Sequence, residues 1–274
     1  MEKPANYDMS RLNEFQECNE LYNNKYNRCL KEPVGLNARF SIHMVHDPLT
    51  QWYASQGKKL PDFAANLAKM QLTAEELASD KHGKYTVATA LRIFDKYIEQ
   101  LGKVDLERFE VLGAEKYVVD EVLRFGSKAD VMLLERATSY PWTAELKFSA
   151  WDFVLTGTSF NPQALGQINN TKSRGCLFTL ITPKDTKWAD FLIIREEIVP
   201  KPWEMERWRK NITKRIEDMD RSYELDIWPQ HGPKACRRYG GDCYFLGLCE
   251  AGAPQEMVQR MPQHDPLAYL GDGQ

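Results

Sequence analysis

Asp130, Glu145 and Lys147 are the residues of this chain whose types and spacing could do chemistry. In a strand, residues two apart point to one face, so Glu145 and Lys147 can share a site while Leu146 packs on the other side. Asp130 follows a glycine and precedes the apolar run Val131-Met132-Leu133-Leu134, which sets it at the start of a neighbouring strand. Two carboxylates offer the hard oxygen ligands that Mg²⁺ or Mn²⁺ takes while keeping waters and binding a phosphate. A metal held this way lowers the pKa of a bound water and neutralises charge on phosphate oxygens, and a lysine beside it stabilises the developing oxyanion. That is the chemistry of phosphodiester hydrolysis. The triplet needs its apolar surroundings, because Asp185-Thr186-Lys187 repeats it in a Pro-, Lys- and Asp-containing loop with nothing to hold it.

The other reactive set is sulfur. Of six cysteines, Cys18 lies far upstream and Cys236, Cys243 and Cys249 lie close together near the end. Four thiolates suit an iron–sulfur cubane or a Cys₄ zinc site, and they need not be contiguous if the fold gathers them. The polar start Met1-Glu2-Lys3-Pro4 has no apolar signal core, which favours metal ligands and buried thiols over a disulfide framework. Cys29, eleven residues after Cys18, is an alternative ligand, and Cys176 opens an apolar run and reads as a buried thiol.

The elements that must position these groups follow from periodicity. Residues 8–28 carry Leu12, Phe15, Leu21 and Tyr22 at helical intervals with Ser10 as N-cap. A second helix begins after Gly35 and covers Ile42, Val45, His46, Leu49, Trp52 and Tyr53, with Pro48 forcing a bend or a late start. Thr86 opens a third, with Val87, Ala90, Leu91, Phe94, Ile98 and Leu101 as its apolar stripe and Gly102 as its stop. From Phe109 the period changes to that of strands, leading through Val131–Leu134 to Trp142–Lys147. Asn161 to Lys172 reads as a helix, Cys176–Ile181 and Phe191–Ile194 as strands, and Trp203–Tyr223 as an amphipathic helix. That last helix sets Trp208, Ile212, Ile216 and Met219 against a basic face of Arg207, Lys210, Lys214 and Arg221, which could follow a DNA backbone.

At 274 residues the chain suits one compact unit with a terminal appendage. A net charge of −3 excludes a molecule basic all over, so any nucleic-acid contact must come from a local face. No stretch approaches the ~20 apolar residues of a membrane span, which points to a soluble, cytoplasmic protein.

In order along the chain, Ser10-x-Leu12-x-x-Phe15-x-x-Cys18-x-x-x-Tyr22, His46-x-x-Leu49-x-x-Trp52, Gly126-x-x-x-Asp130, Glu145-x-Lys147, Gln163 and the three late cysteines resemble the PD-(D/E)XK nuclease superfamily. The resemblance is to its RecB-like branch, which includes the AddB nuclease domain and the CRISPR-adaptation exonucleases with an iron–sulfur cluster. It departs from that pattern in the extra residue between Gly126 and Asp130, in Gln167 where a tyrosine is usual, and in the long gap after Cys236.

The resemblance implies an α/β fold, a central mixed sheet flanked by helices, with the N- and C-terminal segments joined by a metal cluster. It implies one nuclease domain over 1–250, with cluster-bearing segments 8–60 and 224–250 and a catalytic core over 105–200; beyond Glu250 the chain is rich in Gly, Pro and Gln with little to bury, which predicts a mobile tail over 251–274. Asp130, Glu145, Lys147 and Gln163 would be catalytic, Gln163 holding the substrate strand or the attacking water. His46, Asp130, Glu145 and Leu146 would hold Mg²⁺ or Mn²⁺, with His43 as the rival histidine. Cys18, Cys236, Cys243 and Cys249 would carry a 4Fe-4S cluster, with Zn²⁺ as the alternative. The implied activity is metal-dependent hydrolysis of DNA, exonucleolytic on single strands or exposed ends, in recombination, repair or processing. No Gly-x-x-x-x-Gly-Lys is present, so unwinding would fall to a separate helicase or recombination partner. The rival is a non-catalytic DNA-binding or assembly module with a structural Cys₄ site. Retention of Asp130, Glu145 and Lys147 together speaks against it.

Overall fold

The computed structural model describes residues 3–30, 34–80, 83–149, 161–229, 231, 236–238 and 241–251; the tail expected beyond Ala251 lies outside them. The helices used below are α1 (Met9–Glu17), α2 (Asn19–Tyr22), α3 (Leu36–Phe40), α4 (Asp47–Ala54), α5 (Val87–Tyr97), α6 (Lys103–Arg108), α7 (Pro162–Thr171) and α8 (Pro202–Leu225). The chain divides into two compact units, one of Val34–Val118 and Ser127–Met205, the other of Met1–Pro33, Val119–Gly126 and Glu206–Gln274.

The first unit is built on a five-stranded sheet of β1 (Phe109–Asp120), β2 (Phe125–Glu135), β3 (Pro141–Phe148), β4 (Gly175–Pro183) and β5 (Phe191–Ile198), in the order β1-β2-β3-β4-β5. β2 and β3 pair antiparallel, β3 and β4 parallel, and β4 and β5 antiparallel. This is the mixed sheet with flanking helices that the resemblance implies. A parallel neighbour requires a crossover, and α7 lies in it. Asn161 caps α7 by accepting from the amides of Gln163 and Ala164, and Pro162 takes the first helical position, where its missing N–H costs nothing. Every residue of β4 is buried, which is why it reads as a continuous apolar run.

Leu146, Val131, Leu133, Ala144 and Leu177 from the strands meet Phe40, Met44, Leu49, Trp52 and Phe94 from the helices in one core. Beneath it Arg195 donates to Asp105 (2.5 Å), to the Tyr97 hydroxyl (2.8 Å) and to Thr179 (2.9 Å), and Tyr53 donates to the same aspartate. Burial alone would lower the Arg195 pKa, but Tyr97, Asp105 and Tyr53 hold it raised.

Three helix expectations change. The helix of Thr86 is present, with the Thr86 hydroxyl accepting from Thr89 N (3.2 Å), but its buried face is Ala90, Ile93, Phe94 and Tyr97, and Leu91 is exposed. Gly102 does not stop it: a π-helical stretch, Ile98–Gly102, runs straight into α6. The glycine is there for packing, since a Cβ would stand 2.9 Å from both Ile98 Cδ1 and Trp52 Cη2. Pro48 does not delay its helix; the π-helical stretch Ser41–His46 leads into α4 with Pro48 in its first turn.

In the second unit α1 is capped by Asp8, whose carboxylate accepts from Arg11 N (2.9 Å), while Ser10, the expected cap, lies inside the helix. The helix breaks at Cys18, whose backbone is extended, before α2. Tyr7 bridges to Phe125, its main chain exchanging hydrogen bonds with Arg124 O (2.9 Å) and Gly126 N (2.7 Å). Its hydroxyl donates to Asp220 of α8 (2.8 Å), which also takes Arg124 and Lys3 (2.7 Å each). Trp208, Ile212, Ile216 and Met219 form the buried face of α8, at the expected positions.

Candidate functional site

The site grows from the β2–β3 pairing. Val131 lies across from Ala144, and one step beyond come Asp130 and Glu145, 7 % and 0 % exposed. Leu146 turns its side chain into the core, and its amide donates to Asp130 Oδ2 (2.7 Å). His46 Nε2 stands 3.0 Å from Asp130 Oδ1, brought there by the π-helical stretch that ends at His46. His43, the rival, pairs with Asp47 at 3.1 Å.

Glu145 is surrounded by donors. Lys147 forms an ion pair with Oε1, and Gln163 Nε2 donates to the same oxygen at 2.6 Å. Gln167, fully buried on α7, donates to Oε2 and to the Lys128 carbonyl (2.9 Å). Gln167 thus does a donor's work at the position where the resemblance leads one to look for tyrosine.

Protonation follows from this packing. Burial raises Glu145, Asp130 adds to it and Lys147 opposes, leaving the carboxyl at about 7. Burial would raise Asp130 too, but the hydrogen bond from His46 and the charge of Lys147 outweigh it and hold it lowered. His46, pulled down by burial, is carried up to about 9 by Asp130 and Asp47. Lys147 is likewise held up by Glu145 and Asp130 against burial. The two carboxylates therefore differ in proton affinity, with cationic donors on both.

Sequence reasoning missed Glu115. It lies in β1 with a left-handed backbone (φ 57°), and His46, Glu115 and Asp130 each offer a ligand atom within 4.8 Å of the others. The chemistry of that set, an imidazole nitrogen and two carboxylate oxygens, fits a divalent metal. Only the poor strand formers Gly113 and Ala114 before it mark the place in the sequence.

In the second unit, Cys18 packs with Leu21, Leu30 and Phe245, and Cys243 lies against them. The Cys243 amide donates to the Cys236 carbonyl at 2.6 Å. Burial pushes the Cys249 thiol up to about 11, helped by Glu20, Cys243, Cys18 and Cys236. The four cysteines are thus gathered in one region. Cys29 adopts a left-handed backbone with its sulfur 3.6 Å from Tyr26 O, and burial holds the Cys176 thiol raised. On α8, Arg207, Lys210 and Lys214 are exposed, with Lys210 paired to Glu206 (2.7 Å) and Lys214 to Asp218 (2.8 Å), the pattern of a solvated helix face.

No helix among the described residues is long and apolar enough to cross a membrane. No protein-family model matches the chain, and no curated protein matches it in sequence. Among solved structures, LHK-Exo in complex with dAMP is 12 % identical over 81 % of this chain and 91 % of its own, at a TM-score of 0.35, too low to equate the folds. A protein of Eubacterium rectale provisionally designated an exonuclease is 11 % identical, and the match covers 98 % of this chain and 94 % of that one at a TM-score of 0.54. This chain has that protein's fold, an α/β architecture that here is built around a five-stranded mixed sheet.

Proposed function

We propose that the protein is a metal-dependent DNA nuclease of the PD-(D/E)XK type, RecB-like branch, hydrolysing phosphodiester bonds at single strands or exposed ends. The observation that carries the reading is the convergence of His46 and Leu146 N–H on Asp130, and of Lys147, Gln163 and Gln167 on Glu145, across one strand pair. The designation of the E. rectale protein agrees with it.

Asp130, Glu145 and His46 would hold Mg²⁺ or Mn²⁺, which when bound acidifies a water and neutralises phosphate charge. Lys147, anchored on Glu145, brings a cation to the oxyanion and keeps the attacking water aligned. Gln163, on the first turn of α7, orients the Glu145 carboxylate and presents its amide to the substrate strand. Gln167 holds Glu145 from behind, where no solvent reaches. Cys18, Cys236, Cys243 and Cys249 would carry a 4Fe-4S cluster that fastens the second unit, and a separate helicase or recombination protein would deliver the strand.

The test is cleavage of end-labelled single- and double-stranded DNA with and without Mn²⁺. Asp130→Asn, Glu145→Gln and Lys147→Ala should each lose about 10²–10³-fold in rate, the order measured for removing one preorganised transition-state group. Wild-type cleavage by any of the three, purified and folded, would remove that residue from the site.

A further inference from the structure

Asp130 serves two sets of partners with its two oxygens. Oδ2 accepts the Leu146 amide; Oδ1 faces His46 Nε2 at 3.0 Å. On the Oδ1 side stands Glu115. Its Oε1 is shielded from solvent, has no hydrogen-bond partner, and lies 3.4 Å from His46 Nε2, while Oε2 is taken by Lys128. A buried acceptor without a donor calls for explanation, and a bound ion is one of the standard ones.

The backbone supports the same reading. A left-handed glutamate inside a strand is costly, and such irregularities in strands serve to re-aim a side chain. Here the side chain is aimed at His46 and Asp130. Glu145 falls outside that group of mutually close ligand atoms, its oxygens being held by Lys147, Gln163 and Gln167.

We propose that the divalent cation binds between His46 Nε2, Glu115 Oε1 and Asp130 Oδ1, with Glu115 in the place given to Glu145 above, which makes Glu115 a metal ligand and Lys128 the counter-ion that neutralises it when the cation is out. The remaining coordination positions go to water or to a phosphate oxygen. This deepens the nuclease reading and rests on it only for the use to which the cation is put.

Binding is therefore measured without DNA, by titrating the full chain with Mn²⁺ and counting free ion by electron paramagnetic resonance. Glu115→Gln, which keeps the shape and removes the charge, should weaken Mn²⁺ tenfold or more, as Asp130→Asn does. Lys128→Met should tighten it several-fold by removing a competing cation. Wild-type affinity in Glu115→Gln overturns the proposal, as does a wild-type chain that takes up no Mn²⁺ at millimolar concentration. If Glu115→Gln does not fold, Lys128→Met decides: tighter binding supports the assignment and unchanged binding overturns it. A chain that loses Mn²⁺ in Glu115→Gln yet cleaves no DNA keeps the ligand and loses the nuclease; one that cleaves DNA but binds Mn²⁺ normally in Glu115→Gln does the reverse.

Discussion

Replacing Arg195 by methionine tests what holds the sheet-bearing unit together. The Arg195 and Asp105 side chains are 11 % and 6 % exposed, so their ion pair stands almost wholly out of water. Three of the guanidinium's contacts, to Asp105, Tyr97 and Thr179, are lost at once in Arg195→Met. What remains is a buried carboxylate whose charge, among the described residues, is answered by the Tyr53 hydroxyl. Breaking a buried pair this way costs about 3–5 kcal/mol, because the survivor is left desolvated and uncompensated. At about 2–4 °C per kcal/mol for a chain of this size class, the melting temperature should fall by about 10 °C. Removing both charges, in Arg195→Met with Asp105→Leu, should cost less than the single change, since an apolar pair of similar volume has no charge to strand. Urea unfolding followed by far-ultraviolet circular dichroism reads both. If Arg195→Met costs less than about 1 kcal/mol, or if the two single costs simply add, the network is not the desolvated unit described here.

Gly175→Ala should destabilise by more than about 2 kcal/mol in the same assay, because its Cβ would stand 2.6 Å from the Ile198 carbonyl and 2.7 Å from the Trp142 ring, neither of which can step aside. Burial pushes Asp220 upward, yet hydrogen bonds from Arg124, Lys3 and Tyr7 hold it lowered, so Asp220→Asn should lose about 1–2 kcal/mol at neutral pH. That difference is full above the ordinary aspartate value near ~4 and should vanish as pH falls through the lowered folded value, which denaturation at a series of pH values would show. Protein purified without oxygen should absorb near ~400 nm and contain about four irons per chain, with Cys18→Ser and Cys249→Ser bleached and Cys176→Ser unchanged; elemental analysis finding zinc alone would replace the cluster with a Cys₄ site.

What was legible in the sequence was whatever period and neighbour type determine. The strand around Val131–Leu134 stood out as a short apolar run and that of Trp142–Lys147 by its alternation of apolar with polar residues, and the pairing of β2 with β3 brings Asp130 and Glu145 to adjacent positions. The phase of the Thr86 helix was misread because Ile93 and Tyr97 were left out of the stripe, whose choice between two adjacent faces is settled by tertiary packing. Gly102 misled for a related reason: a glycine needed for closeness to Trp52 looks in sequence like one needed for a turn. Ser10 lost the cap to Asp8, two residues earlier and a good cap by type. Glu115 was hidden, since it belongs to no spacing motif, and Gln167 stood out only as a departure from the tyrosine of the resemblance, not as a partner of Glu145. The first depends on one backbone angle, and the second on where a crossover helix docks.

The parallel join between β3 and β4 also orders the assembly of the chain in time. β2–β3 and β4–β5 are antiparallel neighbours joined by short connections, the kind of local contact that forms early. β3 meets β4 only after the segment carrying α7 has come round, and Gln163 and Gln167 ride on that segment. Local contacts forming first would therefore set Asp130 and Glu145 side by side before the two amides that clamp Glu145 arrive. The clamp on Glu145 is completed by the same event that closes the sheet, so a molecule in which β3 and β4 have not yet met would carry the two carboxylates in an unclamped form.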